Sequence, residues 1–304
     1  MLIFDQDTPI LLLVFNRPDV TAQVFDRIKK VEPKKLYVAA DGARKESEIL
    51  KCDQVRAIVT DITWDCEIKT LFRTQNLGCG KAVSEGIKWF FEQEEVGIVL
   101  EDDCLPELSF FSFCSTMLKY FKDDDRIGHI SGSNFQDSHT RGDGSYYFSA
   151  LTHVWGWASW RRVWKDYDFE ISTFPKLDTQ FNAFPSHKPF APHWLRIFDR
   201  VYKREIDTWD YQYAYHNLIN GRKAVMPNSN LITNIGIGAE ATHTQGNHPL
   251  INGKIDQIEA IVHPTFQIQD VEADCYTQQK EFNSEEPKKK GLLSRTWKNI
   301  KNRN

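Results

Sequence analysis

Between residues 9 and 100 the chain alternates between short continuous apolar runs and longer segments of helical period, and this constrains the fold more than any other feature. Pro9 to Phe15 is an apolar run bounded by Thr8 and Asn16-Arg17-Pro18, the pattern of a strand buried on both faces. Val20, Val24, Phe25, Ile28 and Val31 then recur at spacings of three and four, which predicts a helix begun by Pro18 or Asp19. Leu36 to Ala40 is a second strand running into the turn pair Asp41-Gly42, and residues 46 to 60 read as helix again. A third strand over Ile68 to Phe72, a helix over Lys81 to Phe91 and a fourth strand over Val96 to Leu100 complete the series. Such alternation implies a parallel sheet covered by helices on both faces, with ligands bound at the carboxyl ends of the strands. A helix over Pro106 to Phe121 and a strand over Ile127 to Ser131 are expected next.

Composition narrows the function. A chain of 304 residues, 41% hydrophobic and 26% charged, has the make-up of an ordinary globular protein. The longest purely apolar run, Ile10 to Phe15, is far short of the ~20 residues a membrane-spanning helix needs. Met1 to Asp7 show no secretory signal, so a cytoplasmic location is expected. The net charge of -4 gives no general pull toward nucleic acid. Six scattered cysteines without a CxxC pair read as reduced thiols. Charge is uneven, however: seven lysines and arginines and no acid follow Pro287, leaving 31 positives against 42 negatives before it. Leu292, Leu293, Trp297 and Ile300 are interleaved with this basic tail, which fits an amphipathic helix on an anionic membrane surface or a solubilising end.

Candidate chemistry starts where the fourth strand ends. Glu101-Asp102-Asp103 would be a solvated loop in most contexts. Directly after Gly97-Ile98-Val99-Leu100, though, repelling carboxylates stand beside a buried strand end, where a cation must neutralise them. Mg²⁺ or Mn²⁺ would take carboxylate and phosphate oxygens together, which suggests a metal diphosphate. Gly78-Cys79-Gly80-Lys81-Ala82 lacks the glycine and the Ser or Thr of a phosphate loop. It either turns Lys81 and a helix end toward a nucleotide or is a plain glycine turn. Asp207 and Asp210 flank Trp209 at a helix start, one as a cap and the other as a candidate general base. His243 sits in a glycine-containing loop, as a surface residue or a third metal ligand.

Taken in order, these landmarks resemble nucleotide-sugar glycosyltransferases of the GT-A fold, nearest to the N-acetylglucosaminyltransferase I family, with kinship to the family 2 inverting enzymes. The match runs through Pro9 to Arg17, Ala40-Asp41-Gly42, Val99 to Phe111, Ser131 to Asn134, Gly156 to Trp160, Trp209-Asp210 and Gly238 to His243. It implies a Rossmann-like, mixed but mainly parallel α/β sheet flanked by helices, in one compact domain of two halves. Residues 1–103 would form the nucleotide-sugar half, 104–270 the acceptor and catalytic half, and 271–304 a linker and basic tail. By resemblance Asp103 holds the divalent metal, Asp102 approaches the ribose, Glu101 contacts the donor sugar, and Arg17 and Asp41 contact the nucleotide. Lys81 or Arg17 would steady the leaving diphosphate. Asp210 would deprotonate the acceptor hydroxyl, although the family has a second acid where this chain has Tyr211, and His243 is the inferred further metal ligand.

The expected partners are a nucleotide-sugar donor, uridine-linked by preference, and a saccharide or lipid-linked oligosaccharide acceptor in surface polysaccharide synthesis. The tail would touch the inner face of the membrane. The Trp-rich stretch from Trp155 to Trp164 would shape the acceptor side. Two alternatives stand beside this expectation. A sugar nucleotidyltransferase lacks support because Asn16-Arg17-Pro18-Asp19 replaces its Gly-rich loop. An inactive carbohydrate-binding relative would leave Asp103 and Asp210 far apart.

Overall fold

A computed structural model describes residues 2–236 and 255–283, and within them the expected alternation is realised. The chain runs β1 (Ile10–Val14), α1 (Pro18–Val31), β2 (Lys35–Ala40), α2 (Glu46–Thr60), β3 (Glu67–Phe72), α3 (Cys79–Gln93) and β4 (Val96–Glu101). It continues through β5 (Cys104–Pro106), α4 (Leu108–Tyr120), β6 (Ile127–Ser131), β7 (Tyr146–Ser149), β8 (Trp157–Trp160) and α5 (Arg161–Trp164). After three 3-10 turns come α6 (Ala191–Tyr202), α7 (Asp210–Ile219), β9 (Lys223–Pro227), β10 (Ile232–Asn234) and α8 (Val271–Asn283). The main sheet has the order β3-β2-β1-β4-β8-β6-β9-β7. β8 and β7 run against their neighbours and the other pairings are parallel, so the sheet is mixed and mainly parallel, with helices on its faces.

Strand order places the site. From β1 the chain moves outward to β2 and β3, then returns to lay β4 on the other side of β1. This reversal opens a crevice at the carboxyl ends of β1 and β4, the usual ligand position in such sheets. Both strands are buried because both faces are covered, which is why they read as unbroken apolar runs. Register pairs Leu13 with Glu101, so the residues after Val14 and those after Glu101 leave the sheet side by side.

Two apolar clusters support the frame. The larger one fills both faces of the sheet, from Leu11 and Leu12 to Phe110, Trp157 and Tyr213. The smaller one gathers Trp194 and Phe198 of α6, Tyr215 of α7 and Phe282 of α8 around the far sheet edge. Residues 271–283, expected as the start of a linker, instead form α8, with Asp274 and Gln278 buried; the long apolar period that marks most helices is weak here because polar contacts hold it. Trp157 and Trp160 are core rather than the expected acceptor wall: each is at most 3% exposed, and Trp157 stacks on Trp209 at 5.8 Å between ring centres. All six cysteines are free thiols, and no helix among the described residues is long and apolar enough to cross a membrane. The expected basic tail lies outside the described residues.

Candidate active site

Arg17 stands between the two strand ends. It occupies the residue before α1, where Pro18 opens the helix. Its Nη2 donates to Asp102 Oδ1, and Nη1 lies 3.0 Å from Asp103 Oδ2. Phe15 N donates to the other Asp102 oxygen at 3.3 Å, so the end of β1 grips the turn after β4 through both backbone and side chain. The loop after β10 closes over this pair. Ile235 N donates to Asp103 O at 2.8 Å, and a Cβ on Gly236 would collide with Asp103 Oδ2 and lie 2.7 Å from Arg17 Nη1. Only glycine lets the backbone pass so close.

A second set of contacts joins the two halves of the chain. α3 has no capping side chain of its own; Gly78, at φ 82°, turns the chain into the helix, and the first amides would be orphaned. Asp207 satisfies them from 127 residues away, taking Cys79 N at 3.0 Å and Gly80 N at 2.9 Å. Of the two acids flanking Trp209, Asp207 is thus the cap, but of α3 rather than of its own helix. Asp210, at the start of α7, accepts from Thr208 Oγ1 and from Tyr211 N at 2.9 Å through one oxygen, Oδ1. The described residues offer its other oxygen no hydrogen bond.

Charge at this junction is strongly unbalanced. Burial and the nearby charges of Asp103, Asp102 and Asp210 push the Glu101 carboxyl up to about 8. Burial pushes Asp102 up to about 6 even though Arg17 pulls it down. Burial opposes the charge on Arg17, but Asp102 and Asp103 outweigh it and raise its pKa further. The Cys79 thiol is driven far up by burial and then by Glu101, Asp207 and Asp210, so it stays protonated. These mutual influences show that Arg17, Cys79, Glu101, Asp102, Asp103 and Asp210 share one neighbourhood.

The remaining expected residues stand apart. Asp41, one strand over, accepts from Asn76 Nδ2 at 2.9 Å, Leu77 N at 3.0 Å and Gly42 N at 2.9 Å, and burial raises its pKa despite these donors. It shapes the loop leading to Gly78. Lys81 points along α3, with Nζ 3.8 Å from Glu85, and the amides at the start of that helix already have Asp207. His243 lies outside the described residues. Sequence reading missed Cys79, the long-range role of Asp207 and the contact of Gly236. A helix start without Ser, Thr or Asp before it signals that a cap must come from elsewhere, but not from which residue.

No protein-family model matches the chain, and neither does any curated protein. Among solved structures it is similar to a cytidylyltransferase from Leptospira borgpetersenii serovar Hardjo-bovis, at 12% identity over 59% of this chain and 73% of that one, TM-score 0.36. It is also similar to the galactosyltransferase LgtC in complex with donor and acceptor sugar analogs, at 11% identity over 69% and 70%, TM-score 0.36. A third is UDP-glucose pyrophosphorylase complexed with UDP-glucose, at 8% identity over 52% and 78%, TM-score 0.32. These likenesses establish neither a shared family nor a shared chemistry.

Proposed function

We propose that this chain is an inverting glycosyltransferase that moves a sugar from a nucleotide diphosphate donor to a glycan or lipid-linked acceptor. The observation that carries this reading is the convergence of Arg17, Glu101, Asp102 and Asp103 with Asp210, from the other half of the chain, at the switch point between β1 and β4. Uridine as the base and a role in surface polysaccharide synthesis follow from the family resemblance alone.

A divalent cation fits the residues present. Glu101 feels the charges of Asp103, Asp102 and Asp210, and the one guanidinium beside it is shared by Asp102 and Asp103, an excess of negative charge that a hard cation relieves. Among the described residues no three His, Cys, Asp or Glu side chains are grouped to ligate one ion. An ion held here would be Mg²⁺ or Mn²⁺ bound through Asp103, with phosphate and water completing the shell. When bound, the ion supplies charge stabilisation to the departing diphosphate.

The protein's own groups divide the remaining work. Arg17 adds fixed positive charge where negative charge develops. Glu101, at the end of β4, would contact the donor sugar. Asp210 accepts the proton of the acceptor hydroxyl through its unbonded oxygen, and attack from the face opposite the diphosphate inverts the anomeric carbon.

Thermal-shift binding of uridine, guanosine, cytidine and thymidine diphosphates, with and without Mn²⁺, tests this reading. Metal-dependent stabilisation by one of them supports it, and silence from all sinks it. Asp103→Asn should abolish the metal-dependent shift. Asp210→Asn should keep the shift while lowering transfer by roughly 10²- to 10⁴-fold, the usual contribution of a general base.

A further inference from the structure

A groove of about 740 Å³ runs along α3, walled on its other sides by α5, the residues just after it, the end of α6 and the segment 206–212. Its size falls in the range of roughly 300–1,000 Å³ typical of small-molecule sites. The lining residues between Lys81 and Glu92 follow one face of α3 for about 16 Å, so the space is elongated. One end reaches Asp207, the cap of α3. The other holds Arg161, whose amide donates to Glu95 O at 2.8 Å. That end therefore stands at the start of β4, about 17 Å of strand away from Glu101 and the candidate catalytic crevice.

The acids of the wall are already committed. Glu85 is held by Arg73 at 3.0 Å, Glu170 by Arg204 at 2.7 Å and Asp207 by the amides of Cys79 and Gly80, while Glu92 has Lys88 at 4.0 Å. Arg161 and Lys165 differ from them. They stand one helical turn apart, at the start of α5 and just after its end, and among the described residues neither pairs with a carboxylate. Arg161 Nε donates to Phe91 O at 2.6 Å, which fixes the guanidinium and leaves its two Nη groups to meet a ligand. A fixed guanidinium beside an ammonium, both without a counter-charge, is a seat for an anionic group.

The remainder of the wall is apolar. Phe91, Trp164, Val201 and Ile206 line it, and Tyr167 and Phe169 are partly open to it. Its uncharged polar groups are spent inside the protein. Ser84 and Tyr167 give their hydroxyl protons to Lys81 O at 3.2 Å and Trp209 O at 3.0 Å, and Gln212 is 2% exposed, with Oε1 sealed from the cavity. A sugar or a nucleobase lying along this floor would leave acceptors unpaired that water had satisfied. A hydrocarbon chain loses nothing of that kind.

We propose that this groove binds a single-chain anionic amphiphile, with its carboxylate or phosphate on Arg161 and Lys165 and its chain laid over the aromatic floor toward Ile206. The head group lies a strand length from the crevice, so this site is separate from the one described above. Its occupation does not rest on the transferase reading.

The test titrates the full chain with dodecanoate and with dodecyl phosphate by calorimetry below their micelle concentrations, with dodecanol, dodecyltrimethylammonium and inorganic phosphate as controls. Binding of either anion at least roughly tenfold tighter than the alcohol and the cation supports the proposal, that factor being the worth of one charge-assisted contact. Whichever anion binds tighter names the head group. Lys165→Glu should weaken the anion at least roughly tenfold. Phe169→Ser should weaken it through the lost apolar contact. Lys165 is exposed and Phe169 partly so, and unchanged melting temperatures verify that both variants keep the fold. Asp103→Asn and saturating uridine diphosphate with Mn²⁺ should leave binding as it was. No binding of either anion, equal binding of dodecanol, inorganic phosphate matching dodecyl phosphate, indifference to both groove variants, or displacement by the nucleotide overturns it. Nucleotide binding in the same samples separates the two readings: amphiphile without nucleotide keeps the groove and removes the transferase, and the reverse result does the opposite.

Discussion

Arg17 is where the electrostatics of the site are decided. Among the described residues it alone bridges Asp102, 3% exposed, and Asp103, and its own side chain is 22% exposed. Removing one partner of a buried pair strands the other as an uncompensated charge. Arg17→Ala should therefore lower stability by about 3 kcal/mol in urea unfolding, near the low end for such losses because Arg17 retains some solvent contact. Arg17→Lys should not restore it, since an ammonium lacks the fork that reaches both carboxylates. The sequence carried the acidic triplet and the arginine in plain view, because apolar strands mark their own ends. That Gly236 would press on the same pair was invisible, since nothing local ties residue 236 to residue 103.

At the scale of elements, the start of α3 depends on a carboxylate from the other half of the chain. Asp207→Ala should cost about 1 kcal/mol through the lost cap and the lost charge at the positive end of the helix dipole. Amide hydrogen exchange at Cys79 and Gly80 should quicken while the centre of α3 stays protected. If those amides kept their protection, the cap would be supplied by other groups. The period of three and four made α1 and α3 legible, and the glycines before α3 marked its start. Helix α8 was not legible, because its inward face is polar. Asp274 accepts from Ser149 Oγ and from Ala150 N at 3.0 Å, and Gln278 accepts from Trp194 Nε1 at 2.7 Å. A pattern of apolar residues cannot report a helix held by hydrogen bonds.

For the molecule as a whole, α8 holds β7 through Asp274 on Ser149 and the smaller apolar cluster through Phe282 and Gln278. A chain ending at Asp270 should melt at least ~10 °C lower and bind a hydrophobic dye, at roughly 2–4 °C per kcal/mol for a protein of this size. A true linker would be removable without either effect. Acid sensitivity is also a global property. Burial holds His129 down to about 3 and His187 down to about 4, so both are neutral in the folded protein at pH 5. The unfolded chain protonates them below about 6.5, so each contributes stability that is complete above that pH and falls by about 1.4 kcal/mol per unit below it, toward its folded value. Asp274, raised to about 6 chiefly by burial, works in the opposite sense between about 6 and 3.8, since only the folded form holds its proton there. In His129→Asn the dependence of unfolding free energy on pH between 6 and 4 should lose about 1.4 kcal/mol per unit of its upward slope, read from urea titrations at several pH values.

What the sequence determined by itself was the local grammar: which runs are strands, which are helices, and that acids follow a buried strand. Those properties depend on neighbours within a few residues, and apolar burial enforces them wherever the chain goes. Only the tertiary structure decided the partners across the chain. It put Asp207 on α3, Asp210 in the electrostatic field of Glu101, Trp157 in the core, and a glycine over an ion pair. The pairings made by Asp207, Asp210 and Gly236 join residues 109 to 219 positions apart. Strand order and packing set them, and any of many acids or tryptophans could have filled the same part.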